Sequence, residues 1–426
     1  MRESESTSDA SLDLGWNAAQ RVTFRFVFSY LVLYNFVIFS NVGSPISMPF
    51  MWLARKTVPW IGKHILHLTA PAASHPTGSG DTLFDWVLVF SIASIAVIAA
   101  TVWSLLDRKR KEYRCMDRWL RVYVGYGAAF TMITYGMAKV IMLQFRPPAL
   151  ARLIEPYGDF SPMGVLWTFM GSSRAYTFFG GASELLGGLL VFFRRTQVLG
   201  AMVTAVVMLN VAMMNFAYDV PVKLLASHLV LISVFLMAPD LGRLAKVLVL
   251  NKPVAARSAP RPKRWLRLSS ATVQTLLIGM FLFATIRGAN SGDKQYGDGA
   301  PKPPMYGLYE VEEFVRNRQT LPPLLTDRSR WKNVIIERPG AIGVRMMDNS
   351  MRNYVTETDQ AKQTLTITIK KASNVLRYSQ PDADHIMLAG KLDGEDLTLM
   401  LRRVDVSKLR LLSRGFHWIS EYPFNR

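Results

Sequence analysis

The chain has 426 residues, 50% of them apolar, with 50 Lys and Arg against 31 Asp and Glu for a formal charge of +19. Residues 289–426 hold 21 basic and 17 acidic groups, so +15 of that excess belongs to residues 1–288, where the apolar stretches lie. Basic loops beside apolar segments are the mark of a membrane protein, and no DNA- or RNA-binding motif is present, so nucleic acid is not a partner. The single cysteine, Cys115, excludes an intrachain disulfide, a CxxC redox pair and a cysteine-ligated iron–sulfur cluster.

A bilayer-crossing helix needs about 20 apolar residues. Seven stretches meet that need, at 22–41, 84–106, 119–145, 174–193, 197–217, 220–240 and 271–288. The first is too long for a secretory signal and follows an acidic tail, residues 1–21, with Glu3, Glu5, Asp9 and Asp13. Arg25 stands near one end of that span, where it can snorkel to the interface. The loop after the second span carries Arg108, Lys109, Arg110, Lys111, Arg114, Arg118 and Arg121. Arg194 and Arg195 follow the fourth span, and eight basic residues from Arg243 to Arg267 follow the sixth. The positive-inside rule makes these loops cytoplasmic, with the N-terminus inside and the C-terminal region outside, periplasmic if the cell is bacterial.

Residues 22–118 thus comprise two spans joined by a long outer loop. In that loop WLARKTVPWIGKHILHL mixes Trp52 and Trp60 with Arg55, Lys56 and Lys63, as suits a helix lying in the interface plane. His64, His67 and His75 lack a matched carboxylate or cysteine, so no metal site is assigned. Ser79, His75 and Asp81 are too close in sequence for a hydrolase triad, and Asp81 or Thr82 reads as the N-cap of the second span.

Residues 251–288 are a basic cytoplasmic loop and the last span. Residues 289–322 are a Gly- and Pro-rich linker followed by a short helix, YEVEEFVRNRQ (309–319). From 323 to 426 the pattern changes to period two. WKNVIIER, AIGVRMMD, RNYVTET, TLTITIKK, VLRYSQ, HIMLAGKL and EDLTLMLRR are strand-length runs, and Asp393–Gly394 marks a hairpin. Some seven sequential strands predict an antiparallel meander closed as a barrel or paired as a sandwich, its interior filled by its own side chains rather than by a ligand. His385 and His417 read as surface or capping residues. The tail, with Phe416, Trp418, Tyr422 and Phe424, is expected to close the barrel end or to touch the membrane domain. The fold class is therefore an α-helical polytopic membrane protein with a C-terminal all-β domain.

Four spans carry polar groups at similar depth. With a rise of about 1.5 Å per residue, Lys139 lies about 9 Å, Glu184 about 15 Å, Asn210 about 10 Å and His228 about 12 Å below the outer ends of their helices. Glu184 sits in GGASELLGG, and Gly180, Gly181, Gly187 and Gly188 fall on its helix face, where they let a neighbouring helix come close. An ionised carboxylate in hydrocarbon must be paired, and Lys139 is the natural partner.

Residues 119–250 form a four-helix core, and over about 120–250 the chain resembles the DoxX family of bacterial membrane proteins. The resemblance rests on YGMAKVI, GGASELLGGLL, RTQVLGA and YDVPVK, with Gly136-x-x-Lys139 and Glu184-x-x-Gly187-Gly188 at the family's motif positions. It implies a four-helix bundle in the bacterial cytoplasmic membrane. Some members are linked to a thiosulfate:quinone oxidoreductase, which makes quinone the one cofactor to consider; many have no known activity. Three functions follow. One is a non-catalytic envelope protein that binds a lipid or a partner. Another is the membrane subunit of a quinone-linked oxidoreductase, which would need a redox partner. A third is a proton-coupled transporter, for which no inverted repeat is visible. The catalytic residues of the last two are not identified.

Overall fold

The computed structural model describes residues 15–69, 77–255, 264–297 and 299–425. It divides into two compact units: Met1–Val140 with Phe179–Arg287, and Ile141–Phe178 with Gly288–Arg426. The helices in chain order are α1 (Ala18–Asn41), α2 (Met48–His64), α3 (Leu83–Leu106), α4 (Arg114–Val140), α5 (Leu150–Leu153), α6 (Pro162–Ser172), α7 (Arg174–Phe192), α8 (Gln197–Ala217), α9 (Lys223–Met237), α10 (Leu241–Leu248) and α11 (Arg264–Tyr296). Among the described residues, six helical segments are long and apolar enough to cross a membrane: α1, α3, α7, α8, α9 with α10, and Ala271–Gln295 of α11. This is a multi-pass membrane protein.

The stretch expected as a third span, 119–145, differs. Its helix, α4, starts earlier and ends at Val140, and it is long enough at 27 residues, but Asp117, Arg118, Arg121 and Lys139 dilute its hydropathy below that of the other six. Its apolar side is nonetheless central. Leu120, Val124, Ala128, Ala129, Met132 and Ile133 are fully buried and join one core with Tyr34, Ile38, Val87, Ile92, Ala201, Leu229 and Ile232. Large side chains such as Ile98, Val206, Leu231, Leu276 and Phe283 remain exposed. Helices apolar all round are what a lipid-facing bundle requires.

Helix ends are fixed by side chains from afar. Thr82, not Asp81, caps α3: its side chain accepts from Asp85 N–H while Asp85 accepts from Thr82 N–H, a capping box. Asp81 instead accepts from the N–H groups of Lys223 (2.7 Å) and Leu224 (2.9 Å), the first turn of α9. Arg25 does not snorkel. It is buried, donating to Ser104 Oγ (2.8 Å), the Asp107 carbonyl (2.6 Å) and Tyr113 Oη (2.8 Å), so its guanidinium closes the C-terminal end of α3. Arg121 does the same for α9, donating to the Phe235 carbonyl while Asp117 holds it at 2.8 Å.

The second unit is built on a β-barrel. Strands β1 (Gly307–Arg316), β2 (Gln319–Thr320), β3 (Trp331–Arg338), β4 (Ala341–Met346), β5 (Met351–Asp359), β6 (Thr364–Ile369), β7 (Ala372–Ser379), β8 (His385–Leu392) and β9 (Glu395–Arg403) form an antiparallel meander that β1 closes against β9. The expected helix at 309–319 is thus strand β1 with β2, and the barrel begins before residue 323. A bulge between Val311 and Glu313 gives this strand its helix-like pattern. It places Glu312 and Glu313 outward in succession, so the positions facing the barrel interior run 309, 311, 314, and the step of three breaks the alternation that marks a strand. The other seven strand runs lie where the period-two pattern puts them, except that Lys370 and Lys371 leave the strand and make a turn with positive φ, like Asp393 and Gly394.

The barrel interior is filled by Phe314, Val334, Val344, Met346, Ile367, Leu376, Leu399 and Leu401, all fully buried. Arg330, 2% exposed, donates to the carbonyls of Leu321 (3.0 Å), Trp331 (3.1 Å) and Val311 (3.2 Å) and so seals one end. The outer face of β1 and β3 is covered by the 141–178 segment of the same unit, where Leu150 packs with Leu308 and Ile335. Leu150 N–H donates to Glu337 Oε1 (3.0 Å), and Arg345 donates to the Ile154 carbonyl. The C-terminal tail does not close the barrel: Phe416, Trp418 and Tyr422 are 78%, 91% and 83% exposed.

Candidate functional site

The glycines decide what surrounds Glu184. A Cβ on Gly136 of α4 would sit 2.8 Å from the Gly181 carbonyl oxygen, and one on Gly181 would sit 2.6 Å from the Gly136 carbonyl oxygen. Gly188 meets the Ala129 carbonyl at 2.9 Å in the same sense, and Gly187 meets Thr204 Oγ1 of α8 at 2.7 Å. Gly180 is half-buried. Helices α4 and α7 therefore cross backbone to backbone, which only glycine permits at those positions. At this crossing Lys139 Nζ donates to Glu184 Oε2 at 2.8 Å, with both side chains almost wholly buried. The Tyr135 ring lies 5.8 Å from the same ammonium. The pair is tight and buried.

His228 is buried elsewhere in the bundle, and its partners come from α1. Its Nδ1 lies 2.7 Å from the Leu224 carbonyl, which can only accept, so Nδ1 carries a proton. Nε2 lies 2.6 Å from Tyr30 Oη and, in the neutral ring, accepts from it. Tyr34 stacks on the imidazole with ring centroids 3.8 Å apart. The Tyr30 partnership, across 198 residues of sequence, leaves no local signal. Asn210 is exposed on α8, away from this cluster. The buried amide of that helix is Asn215, whose Nδ2 donates to the Val222 carbonyl (3.1 Å). The polar layer thus resolves into two separate groups, Lys139 with Glu184 and His228 with Tyr30 and Tyr34, and Asn210 belongs to neither.

A cavity of about 200 Å³ opens between α1, α3, α4 and α9, lined by Tyr34, Asn41, Asp85, Leu88, Tyr135 and Leu225 among others. Lys139, Glu184 and His228 do not line it. A second, of about 250 Å³, lies at the barrel mouth away from Arg330, under Pro303, Pro304 and Met305. His75 lies outside the described residues. Of its neighbours in sequence, His64 contacts the Trp60 carbonyl (3.0 Å) and is exposed. On the barrel surface His385 Nδ1 contacts Asp382 (2.9 Å) and its Nε2 faces Glu312 (3.3 Å), which holds its pKa above the usual histidine value. His417 reaches no further than the Gly415 carbonyl.

No family model matches the chain, and no solved structure matches it. Over 112 residues it is 31% identical to the uncharacterized protein YwoB of Bacillus subtilis (strain 168), a match that covers 26% of this chain and 71% of that protein. With that identity over more than two thirds of the relative, the chain belongs to the same family as YwoB.

Proposed function

We propose that this is a non-catalytic protein of the bacterial cytoplasmic membrane, whose DoxX-like bundle binds lipid and carries a periplasmic β-barrel as the module that docks a partner protein. One observation carries the reading: Lys139, Glu184 and His228, the ionisable groups of the predicted polar layer, are each engaged by partners within the protein. Lys139 and Glu184 meet where α4 and α7 cross backbone to backbone, and His228 has both ring nitrogens engaged. Groups that bind a quinone or relay protons must present a free donor or acceptor to a cavity or to water. A buried pair of this kind reads instead as a fastener that fixes the α4–α7 register.

Lipid contact is supported by two amphipathic helices. On α2, Trp52 and Trp60 are exposed, with Lys56 over the Trp52 ring at 4.0 Å. On α10, exposed Leu241, Val247 and Leu248 are interspersed with Arg243 and Lys246. The orientation draws on the basic loops and on parity. The 141–178 segment and the barrel share one core, so they lie on one side, which requires an even number of crossings between them. Helices α7, α8, α9 and α11 supply four. If α4 crosses as well, the positive-inside rule favours the periplasm for the barrel.

Purification in native-membrane particles, followed by extraction and mass spectrometry, tests the reading. Stoichiometric phospholipid without quinone is expected, and no quinone reduction or oxidation above background. A retained quinone with turnover would replace this reading by the oxidoreductase one. Accumulation of a solute in sealed vesicles, driven by a pH gradient, would replace it by the transporter one.

A further inference from the structure

The 200 Å³ cavity of the bundle has a chemistry of its own. Its lining brings together Asp85, Asn41 and the tyrosines Tyr34 and Tyr135 with the apolar Leu88 and Leu225. Its rim is stitched in place: Gly80 N–H donates to the Pro221 carbonyl (2.8 Å), and Asp81 accepts from Lys223 and Leu224 N–H. The nearby cations are neutralised. Lys139 is paired with Glu184, and Lys223 lies 2.9 Å from Asp219 and 3.9 Å from Asp81. Among the described residues no ion pair neutralises Asp85, whose hydrogen bonds come from its own capping partner, Thr82. A carboxylate, tyrosines and apolar side chains lining one cavity select a cation that is partly apolar, since an aromatic face attracts an ammonium and costs an anion. The volume is below the roughly 300–1,000 Å³ of drug-sized pockets, which limits the ligand to a few heavy atoms.

We propose that this cavity binds a small organic ammonium group through Asp85 and the Tyr34 and Tyr135 rings. The group reaches it either as a free amine or as the ethanolamine headgroup of a phospholipid. With the headgroup as its source the site rests on the lipid reading and deepens it; with the free amine it is independent of that reading, and in neither case does it need the barrel or the α2 and α10 surfaces.

The test is titration of the full chain with tetramethylammonium and with ethanolamine, followed by calorimetry or ligand-observed NMR, in nanodiscs of phosphatidylglycerol alone. Saturable binding of at least one cation is expected. Asp85→Asn, which keeps an acceptor for the α3 cap, should weaken it at least about tenfold, as loss of a charge-assisted contact does. Tyr135→Leu should weaken it about two- to thirtyfold, the range of a cation–π contact. In nanodiscs containing phosphatidylethanolamine, a fall in apparent affinity for the free cation identifies the lipid as the source, and an unchanged affinity identifies the free amine; both support the site. Absence of saturable binding of either cation would overturn it. So would binding that survives Tyr135→Leu and Asp85→Asn in variants that elute and melt like the parent. If Asp85→Asn does not fold, Tyr135→Leu and Asn41→Ala decide on the same criterion.

Discussion

Lys139 and Glu184 show how far one residue can be read from its neighbours. An acid flanked at i−3, i+3 and i+4 by glycines announces both a close helix and the need for a cation, and the structure supplies both. What the local pattern could not encode are partners far away in sequence: Tyr30 for His228, Tyr113 for Arg25, and the first turn of α9 for Asp81. Asn210 and Asn215 have equally polar side chains, and only the helix rotation decides which is buried. Removing one member of a buried pair strands a charge, so Lys139→Met and Glu184→Gln should each destabilise by about 3–5 kcal/mol, with the double variant losing much less. Folded yield and thermal denaturation in detergent measure this; additive losses would show that the two side chains act independently. On the barrel, His385 titrates above the ordinary value of about 6.5 because Asp382 and then Glu312 favour its imidazolium, while Arg402 holds Glu312 (2.5 Å) and Glu310 (2.7 Å) beside it. A raised folded-state pKa means a stabilisation present in full below the unfolded value and lost as pH rises through the folded one. The His385 ring resonances should therefore show a midpoint above 6.5, and Asp382→Asn should lower it. A midpoint at or below the free-histidine value would refute the contact.

Among the elements, strands β3–β9 were legible because period two has no competitor in that composition, whereas β1 was hidden by its bulge. The bulge interrupts the alternation of the buried set with one step of three, from Val311 to Phe314, and three glutamates add helical propensity. The consequence is testable at the level of fragments. Residues 303–426 include the strand that closes the barrel and should give a strand-rich circular dichroism spectrum with a cooperative melt. Residues 323–426 lack β1, expose the edges of β3 and β9, and should aggregate. Equal stability of the two fragments would mean that β1 is an accessory strand. Helix α4 presents the opposite problem: its burial is central, yet it lacks a stretch as apolar as those of the six candidate spans, and its Arg121 and Lys139 are spent on partners inside the protein. A helix that faces protein on most sides has no need to be as apolar as one that faces lipid.

For the whole molecule, the shared core of the 141–178 segment and the barrel supports the crossing of α11, which buries little of its own surface. Were α11 to lie flat, three helices would separate two segments that pack together. The proposed orientation places Cys115, the one thiol and an exposed one, on the cytoplasmic side. A membrane-impermeant maleimide applied to intact spheroplasts should leave it unlabelled until the membrane is opened; labelling from outside would invert the topology. The central claim, that the polar interior of the bundle fastens helices and performs no chemistry, is tested most directly by the Lys139→Met/Glu184→Gln double variant as the sole copy in a strain deleted for this gene. The account predicts that the double variant accumulates in the membrane and restores the parental phenotype. A double variant that accumulates to the parental level yet fails to complement would contradict it, and would make the pair a functional site.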